Sequence, residues 1–335
     1  MGVPILSIED LCVEFRTPEG TVRAVDGISY TVEPGETLGI AGESGSGKSV
    51  SLLSILGLVP QPPGRIVRGR AIFGGQDLLR ASRKKLRAIR GRDIAMVFQD
   101  PMTSLNPVFR VGDQIAEAIE VHRPAASRQE VRRRTVELMD LVGLPDPVRR
   151  YRDYPHQLSG GMRQRAMIAM AIANAPALLI ADEPTTALDV TIQRQVLDVL
   201  KLARDQTHAA TILITHDLGL IAEMADRVMV MYAGRVAEAG PVEAIFHRPR
   251  HPYTVGLMAS RPRLDVSQDT LTPIPGQPPS LIKVPPGCAF HPRCFLYGGH
   301  YGGRARCVEN RPDLRLVDGA QHLAACHYAE ELRDG

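Results

Sequence analysis

Eight consecutive residues, Gly42-Glu43-Ser44-Gly45-Ser46-Gly47-Lys48-Ser49, fit the phosphate-binding pattern G-x-x-x-x-G-K-[ST]. Gly45 and Gly47 let the backbone curl until successive amide N–H groups face one point, and the positive end of the following helix adds to that field. Lys48 can then reach the outer phosphates. Ser49 offers a hydroxyl to Mg2+, an ion that keeps most of its other ligands as water and phosphate oxygen. A glycine-rich turn can match the pattern by chance, so the flanks matter. Thr37-Leu38-Gly39-Ile40-Ala41 is extended and apolar before it, and Val50 to Leu58 is apolar with helical periodicity after it.

Further along the chain, other side chains suit the same ligand. Ala177-Leu178-Leu179-Ile180-Ala181 is a continuous apolar run, as in a strand buried on both faces, and Asp182-Glu183 stands at its carboxyl end. In an open parallel sheet that end faces the ligand crevice. Asp182 can enter the Mg2+ shell, and Glu183 can polarise a water for in-line attack on a γ-phosphate; acidic pairs after strands also cap helices. His216 follows a second apolar run, Thr211-Ile212-Leu213-Ile214-Thr215, where its ring could touch the γ-phosphate, although a lone histidine is more often structural. Gln99 ends the run Ile94 to Phe98 and could ligate Mg2+ or the attacking water, with a plain surface amide as the alternative. Ser159, with Gly160 and Gly161, makes a second helix start suited to phosphate, or simply a helix cap. Phe15 lies upstream of the loop, where an aromatic either stacks on adenine or packs on its strand.

These residues must be positioned by an α/β fold. Residues 5 to 32 alternate and are rich in β-branched side chains, which predicts several short antiparallel strands. Strand-like segments return at Ala71-Ile72-Phe73 and Ile94 to Phe98 around a charged helical piece. Helical periodicity over Val111 to Val121 and Arg128 to Val142, with breaks at Pro107, Pro124, Pro145, Pro147 and Pro155, predicts an inserted helical subdomain at about 104–174. A small-residue helix is expected over Ala166 to Ala173, a helix over Thr191 to Asp205, and a strand pair turning at Ala233-Gly234. The resulting division is a nucleotide-binding domain over 1–261, a proline-rich linker over 262–287 and a cysteine region over 288–335.

Composition narrows the function. The 335 residues are 44% hydrophobic and 23% charged, enough for a sizeable core, with a formal charge of +3 that argues against nucleic acid as a main partner. Seven Phe, eight Tyr and no Trp leave little material for base stacking. The basic runs at Arg83 to Arg87 and Arg132 to Arg134 read as solvated helix faces. Met1 to Asp10 lacks the pattern of a secretory signal, and no apolar stretch reaches the ~20 residues that span a bilayer, so the expected place is the cytoplasm, with membrane association through other subunits. Four of the five cysteines, Cys288, Cys294, Cys307 and Cys326, crowd the end of the chain. In a reducing compartment such a quartet suggests a metal or iron–sulfur site before disulfides, whereas Cys12 reads as a small core side chain.

Taken in order, these motifs resemble the ATP-binding-cassette ATPases. Gly42 to Ser49 is similar to Walker A, Gln99 to the Q-loop, Leu158 to Arg165 to the signature motif, Leu178 to Glu183 to Walker B, Ala187-Leu188-Asp189 to the D-loop and His216 to the switch histidine. The resemblance covers about residues 5 to 260 and implies a P-loop NTPase core, a mixed or parallel sheet with an N-terminal antiparallel β-subdomain, the helical insertion and a small irregular cysteine-rich end. It favours adenine stacking for Phe15. It makes Glu183 and His216 catalytic, gives Ser49, Gln99 and Asp182 to Mg2+, and turns Ser159, Gly160, Gly161 and Gln164 toward a partner's nucleotide in a head-to-tail pair.

Within the family the chain resembles the D-type ATPase subunit of bacterial dipeptide/oligopeptide importers, on Phe98-Gln99-Asp100-Pro101-Met102-Thr103-Ser104-Leu105-Asn106-Pro107, Met162 in the signature, His251-Pro252-Tyr253-Thr254 and the cysteine tail. That implies a second, F-type ATPase, two permease subunits and an extracytoplasmic substrate-binding protein as partners, at the cytoplasmic face of the membrane. In similar proteins the four tail cysteines hold a [4Fe-4S] cluster. Here twelve residues separate Cys294 from Cys307, more than the family pattern, and His291, His300, His322 and His327 are nearby substitutes. Two other classes compete. A soluble cassette ATPase of DNA repair or translation would carry two cassettes, long coiled coils or zinc modules, and a nucleotide sensor without turnover would lack Glu183 or His216. Substrate identity is not written in this chain: nickel chelates and glutathione are handled by similar machinery.

Overall fold

The computed structural model describes residues 2–186, 189–260, 273–298, 303–319 and 321–332. The chain begins with strands β1 (Leu6–Thr17), β2 (Gly20–Val32) and β3 (Thr37–Ala41), then helix α1 (Lys48–Ile55), strands β4 (Gly64–Phe73) and β5 (Gln76–Asp77), and helix α2 (Arg83–Ile89). Strand β6 (Ile94–Val97) leads into helices α3 (Pro101–Ser104), α4 (Val111–Glu120), α5 (Arg128–Leu141), α6 (Pro147–Arg150) and α7 (Gly160–Ile172). There follow β7 (Leu178–Asp182), α8 (Val190–Thr207), β8 (Ala210–Ile214), α9 (Leu218–Met224), β9 (Arg227–Tyr232), β10 (Arg235–Pro241), α10 (Val242–His247) and α11 (Pro252–Ala259). The last part holds short helices α12 (Phe295–Gly298) and α13 (Ala305–Glu309) and strands β11 (Arg315–Asp318) and β12 (His322–Ala324).

Two compact units result. One comprises Met1–Ile5, Val32–Thr37 and Arg80–Ile214, the other Leu6–Thr31, Leu38–Leu79 and Thr215–Gly335.

In the first unit β6, β7 and β8 are parallel, with Ile94 opposite Leu178 and Leu178 opposite Ala210. Every residue of β7 and β8 is buried, which is why both read as unbroken apolar runs. Helices α4 to α7 lie within residues 104–174, where the helical periodicity is expected. Ser127 and Glu130 close a capping box at the start of α5, each side chain accepting from the other's backbone N–H. Helix α7 starts at Gly160 rather than at Ala166, because Ser159 caps it by accepting the Met162 N–H at 3.3 Å.

In the second unit the expected short strands are two long ones. β1 pairs antiparallel with β4 from Leu6 opposite Phe73 to Phe15 opposite Gly64, in a sheet ordered β2-β1-β4-β5. A bulge where Asp10 adopts φ 45° breaks the register between Glu9 and Cys12, so alternation along the sequence is interrupted although the strand is not. β3 runs parallel to β9, and β9 turns into β10 through Ala233 and Gly234, both at positive φ, as a tight hairpin demands. The C-terminal region is less irregular than its sequence suggests. β12 pairs with β10 and β11 with β12, both antiparallel, so the tail extends an existing sheet. One core cluster of this unit joins Val228, Val230, Tyr232, Ile245, Tyr253 and Phe290, with Cys288 and Cys294 packed against it.

Candidate functional site

In the second unit the phosphate loop leaves the fully buried strand β3 and ends on the first turn of α1, where Gly47 is the N-cap with φ 101°. A Cβ at Gly47 would stand 2.2 Å from the Ala24 carbonyl oxygen, so the loop closes only with glycine there. Lys48 is 5% exposed, and its Nζ donates to the carbonyls of Gly42 and Glu43 at 2.8 and 3.0 Å, across the mouth of the loop. The N–H groups of Ser44, Gly45 and Gly47 donate to no acceptor among the described residues. A curled backbone with unpaired donors beside an ammonium is an anion site. The Glu43 N–H is not one of those donors, since it is given to the Tyr253 hydroxyl at 2.8 Å. Ser46 donates its N–H back to the Glu43 carbonyl, and its buried hydroxyl has no partner among the described residues. Phe15 is half-buried on β1, opposite Gly64, and His216 is exposed just beyond the buried Thr215.

In the first unit the structure brings Gln99, Glu183 and Thr186 together. The Gln99 Nε2 donates to Oε2 of Glu183 at 3.2 Å, and the Thr186 hydroxyl donates to the same oxygen at 2.9 Å. Glu183 has φ 45°, a left-handed conformation that costs a carboxylate-bearing residue energy and is fixed by its N–H to the Ile214 carbonyl at 2.9 Å. Asp182 is buried at the end of β7. Thr186 was not singled out from sequence; a hydroxyl three residues after the acid is its only signal.

Ser159 is exposed at the tip of α7 beside the half-buried Gly160. Gly161 is buried, and a Cβ on it would meet Ile192 Cγ2 at 2.5 Å, so this glycine serves the packing of α7 on α8. Gln164 is also buried, at 1% exposure, with its Nε2 unpartnered among the described residues. Of the expected D-loop, Ala187 and Leu188 lie outside the described residues, and Asp189 caps α8 by accepting from the Ile192 N–H at 3.0 Å.

Cys288, Cys294, Cys307 and Cys326 line one cavity with Phe290, Leu296 and Tyr328, and all four are free thiols. The Cys288 N–H donates to the Cys307 carbonyl at 2.8 Å, so the longer spacing before Cys307 does not keep it from the others. Burial pushes the Cys288 thiol up to about 11 and the Cys326 thiol up to about 12, and raises Cys294 and Cys307 as well. Among the described residues no group of three or more His, Cys, Asp and Glu is gathered to hold a metal ion. The histidines nearby are engaged elsewhere. His291 lies 2.9 Å from the Cys288 carbonyl, His327 2.8 Å from the Asn310 carbonyl and His322 2.7 Å from the Glu238 carboxylate; His300 is outside the described residues.

Residues 25–186 match the ABC transporter family, and residues 237–298 match the oligopeptide/dipeptide transporter C-terminal region. The chain is 53% identical over 290 residues to the dipeptide transport ATP-binding protein DppD of Bacillus subtilis, covering 87% of this chain and 86% of that one. The chain belongs to this family of ABC-type peptide transport ATP-binding proteins. The oligopeptide transport ATP-binding protein OppD of Mycobacterium tuberculosis is 54% identical over 96% of this cassette chain, which spans only about half, 52%, of that relative's length. Among solved structures, the dimeric ATP-binding cassette MJ0796 bound to ADP and Pi has a TM-score of 0.63 at 27% identity over 71% of this chain and 98% of its own. CbiO1 of Clostridium perfringens, part of the ABC transporter complex cbiONQ, has a TM-score of 0.61 at 28% identity, over 73% of this chain and 91% of its own. The mixed α/β cassette expected from the motifs is thus the fold of the family. Its C-terminal match takes in the His251 cap, Tyr253, Cys288 and Cys294.

Proposed function

We propose that this chain is the ATP-hydrolysing subunit of an importer of di- or oligopeptides. The observation that carries the reading is the 53% identity to a dipeptide transport ATP-binding protein over 86% of that protein's length, with every nucleotide motif present in order. Lys48 and the loop amides hold the phosphates. Ser49, Gln99 and Asp182 are oxygen donors of the kind Mg2+ takes, and that ion neutralises charge on the phosphates when bound. Glu183 orients and deprotonates the attacking water, with Gln99 and Thr186 holding its carboxylate, and His216 senses the γ-phosphate. Ser159 and Gly160, at the exposed tip of α7, serve the nucleotide of a second ATPase in a head-to-tail pair.

The partners are that second, F-type ATPase, two permease subunits and, indirectly, an extracytoplasmic binding protein. Among the described residues no helix is long and apolar enough to cross a membrane. Phe98, Met102, Val108 and Phe109 are exposed large apolar side chains within one short stretch beside Gln99, and they suit the docking of a permease. In this reading the chain works at the cytoplasmic face of the membrane, held there by the permease subunits.

The four tail thiols suit a [4Fe-4S] cluster, because all are sulfur donors around one apolar cavity, the donor set such a cluster takes. Such a cluster would be held by Cys288, Cys294, Cys307 and Cys326 and would supply a fixed crosslink between segments of the tail.

Purification with the permease subunits, followed by ATP-driven uptake of labelled peptides into vesicles, tests the reading. Uptake that needs Lys48 and is specific for peptides supports it; uptake of nickel chelates or glutathione alone would move the substrate, and no association with membrane subunits would overturn it. Iron and sulfide analysis of anaerobically purified protein, with each cysteine changed to serine in turn, tests the cluster.

A further inference from the structure

The turn His291–Arg293 lies between Cys288 and Cys294, and its last residue reaches the phosphate loop. Arg293 is 6% exposed and grips the Glu43 carboxylate with both guanidinium nitrogens, at 2.7 and 2.9 Å. Its Nε donates to the Pro275 carbonyl at 2.9 Å, and its guanidinium lies 5.9 Å from the ring centres of Tyr232 and Phe290. Glu43 is therefore held twice, by Arg293 at its side chain and by the Tyr253 hydroxyl at its N–H. Its carbonyl in turn accepts from Lys48 at 3.0 Å. On the other side, Phe290 lines the cysteine cavity and meets Tyr232 edge-on at 5.2 Å. The Cys288 carbonyl accepts the His291 N–H at 3.0 Å, and the His291 carbonyl accepts the Cys294 N–H at 3.2 Å, so the turn carrying Arg293 is tied to both cysteines.

We propose that Arg293 is a positioning residue for the phosphate loop and couples the cysteine cavity to nucleotide binding. The inference rests on the ATP reading above and adds to it a communication between two sites. A bidentate, nearly buried guanidinium–carboxylate pair fixes both distance and angle, so a change at Cys288 or Cys294 that turns the His291–Arg293 segment displaces Glu43 and the carbonyls that Lys48 holds. Coupling between sites is reciprocal: whatever factor the cavity imposes on MgATP affinity, MgATP imposes on events in the cavity.

The test uses the full chain as purified. MgATP binding is measured by calorimetry, and iodoacetamide labelling of Cys288 and Cys294 is followed by mass spectrometry with and without MgATP. Arg293→Ala is expected to weaken MgATP binding by about tenfold, within the usual range of such couplings, with Arg293→Lys in between because it keeps the charge and loses the fork. In the wild type MgATP alters cysteine labelling, and Glu43→Gln, remote in sequence from the tail, removes that effect. Glu43→Gln also carries the test should Arg293→Ala unfold. Unchanged affinity in the variants together with labelling indifferent to MgATP would overturn the coupling, whereas a wild-type chain that binds no MgATP would overturn the ATP reading itself.

Discussion

The side-chain amide of Gln99 donates to the Glu183 carboxylate at 3.2 Å, on the oxygen that also accepts from Thr186. Two neutral donors on one oxygen hold the carboxylate without neutralising it, as the proposed role of Glu183 as a base requires. Gln99→Leu should lower ATP turnover by about tenfold to a hundredfold, the effect of losing a hydrogen bond to a charged group worth about 1.5–3 kcal/mol. Steady-state hydrolysis by the assembled transporter checks this, and Thr186→Val should have an effect in the same direction.

Gly161 belongs to the signature motif, yet its surroundings are those of a packing residue. Gly161→Ala should destabilise the protein by about 1–3 kcal/mol, because the new methyl has no room beside Ile192. Removing Ile192 Cγ2 with Ile192→Ala should make the two changes non-additive, with the double variant more stable than the sum of the single losses predicts. Urea unfolding of the four proteins measures it.

The buried carboxylate of Glu238 accepts from the Arg250 and His251 N–H groups, and His322 Nε2 lies 2.7 Å away, which fastens the tail strand β12 to β10. His322→Ala leaves part of that carboxylate without a partner and should cost about 1–3 kcal/mol. The loss should show first as increased proteolysis of the tail after residue 273, ahead of global unfolding.

His251 sets a pH dependence. It is buried, and burial pushes its pKa down to about 4, while its Nδ1 caps α11 by accepting the Tyr253 N–H at 3.1 Å. The folded state holds this ring neutral and the unfolded chain protonates it near 6.5, so its contribution is complete above about 6.5 and is lost as pH falls toward 4. The full loss is about 3 kcal/mol. Urea midpoints of the wild type should fall more steeply between those pH values than those of His251→Asn, whose amide can cap without titrating.

Much of this was legible because it is local. The phosphate loop, the Asp182-Glu183 pair at the end of an apolar strand and the Ser159 cap are each written within a few residues, and backbone physics places them. What escaped is long-range. Glu43 reads as a loop filler until Arg293, 250 residues away, is seen on its carboxylate. His322 reads as a spare metal ligand until it is found on Glu238, and β12 is three residues long, too short for alternation to show. Asp10 broke the pattern of β1 because a bulge shifts the faces without ending the strand. Gln164 reads as a nucleotide contact from its motif, but helix α7 turns it into the interior.

Nucleotide retention by Glu183→Gln in the complex with its cognate ATPase and permease subunits tests the central claim most directly. With MgATP supplied, the wild type should release ADP continuously, while Glu183→Gln should hold intact ATP and turn over about 10²–10⁴ times more slowly, the loss expected when a general base is removed. Hydrolysis by Glu183→Gln at the wild-type rate would contradict the account.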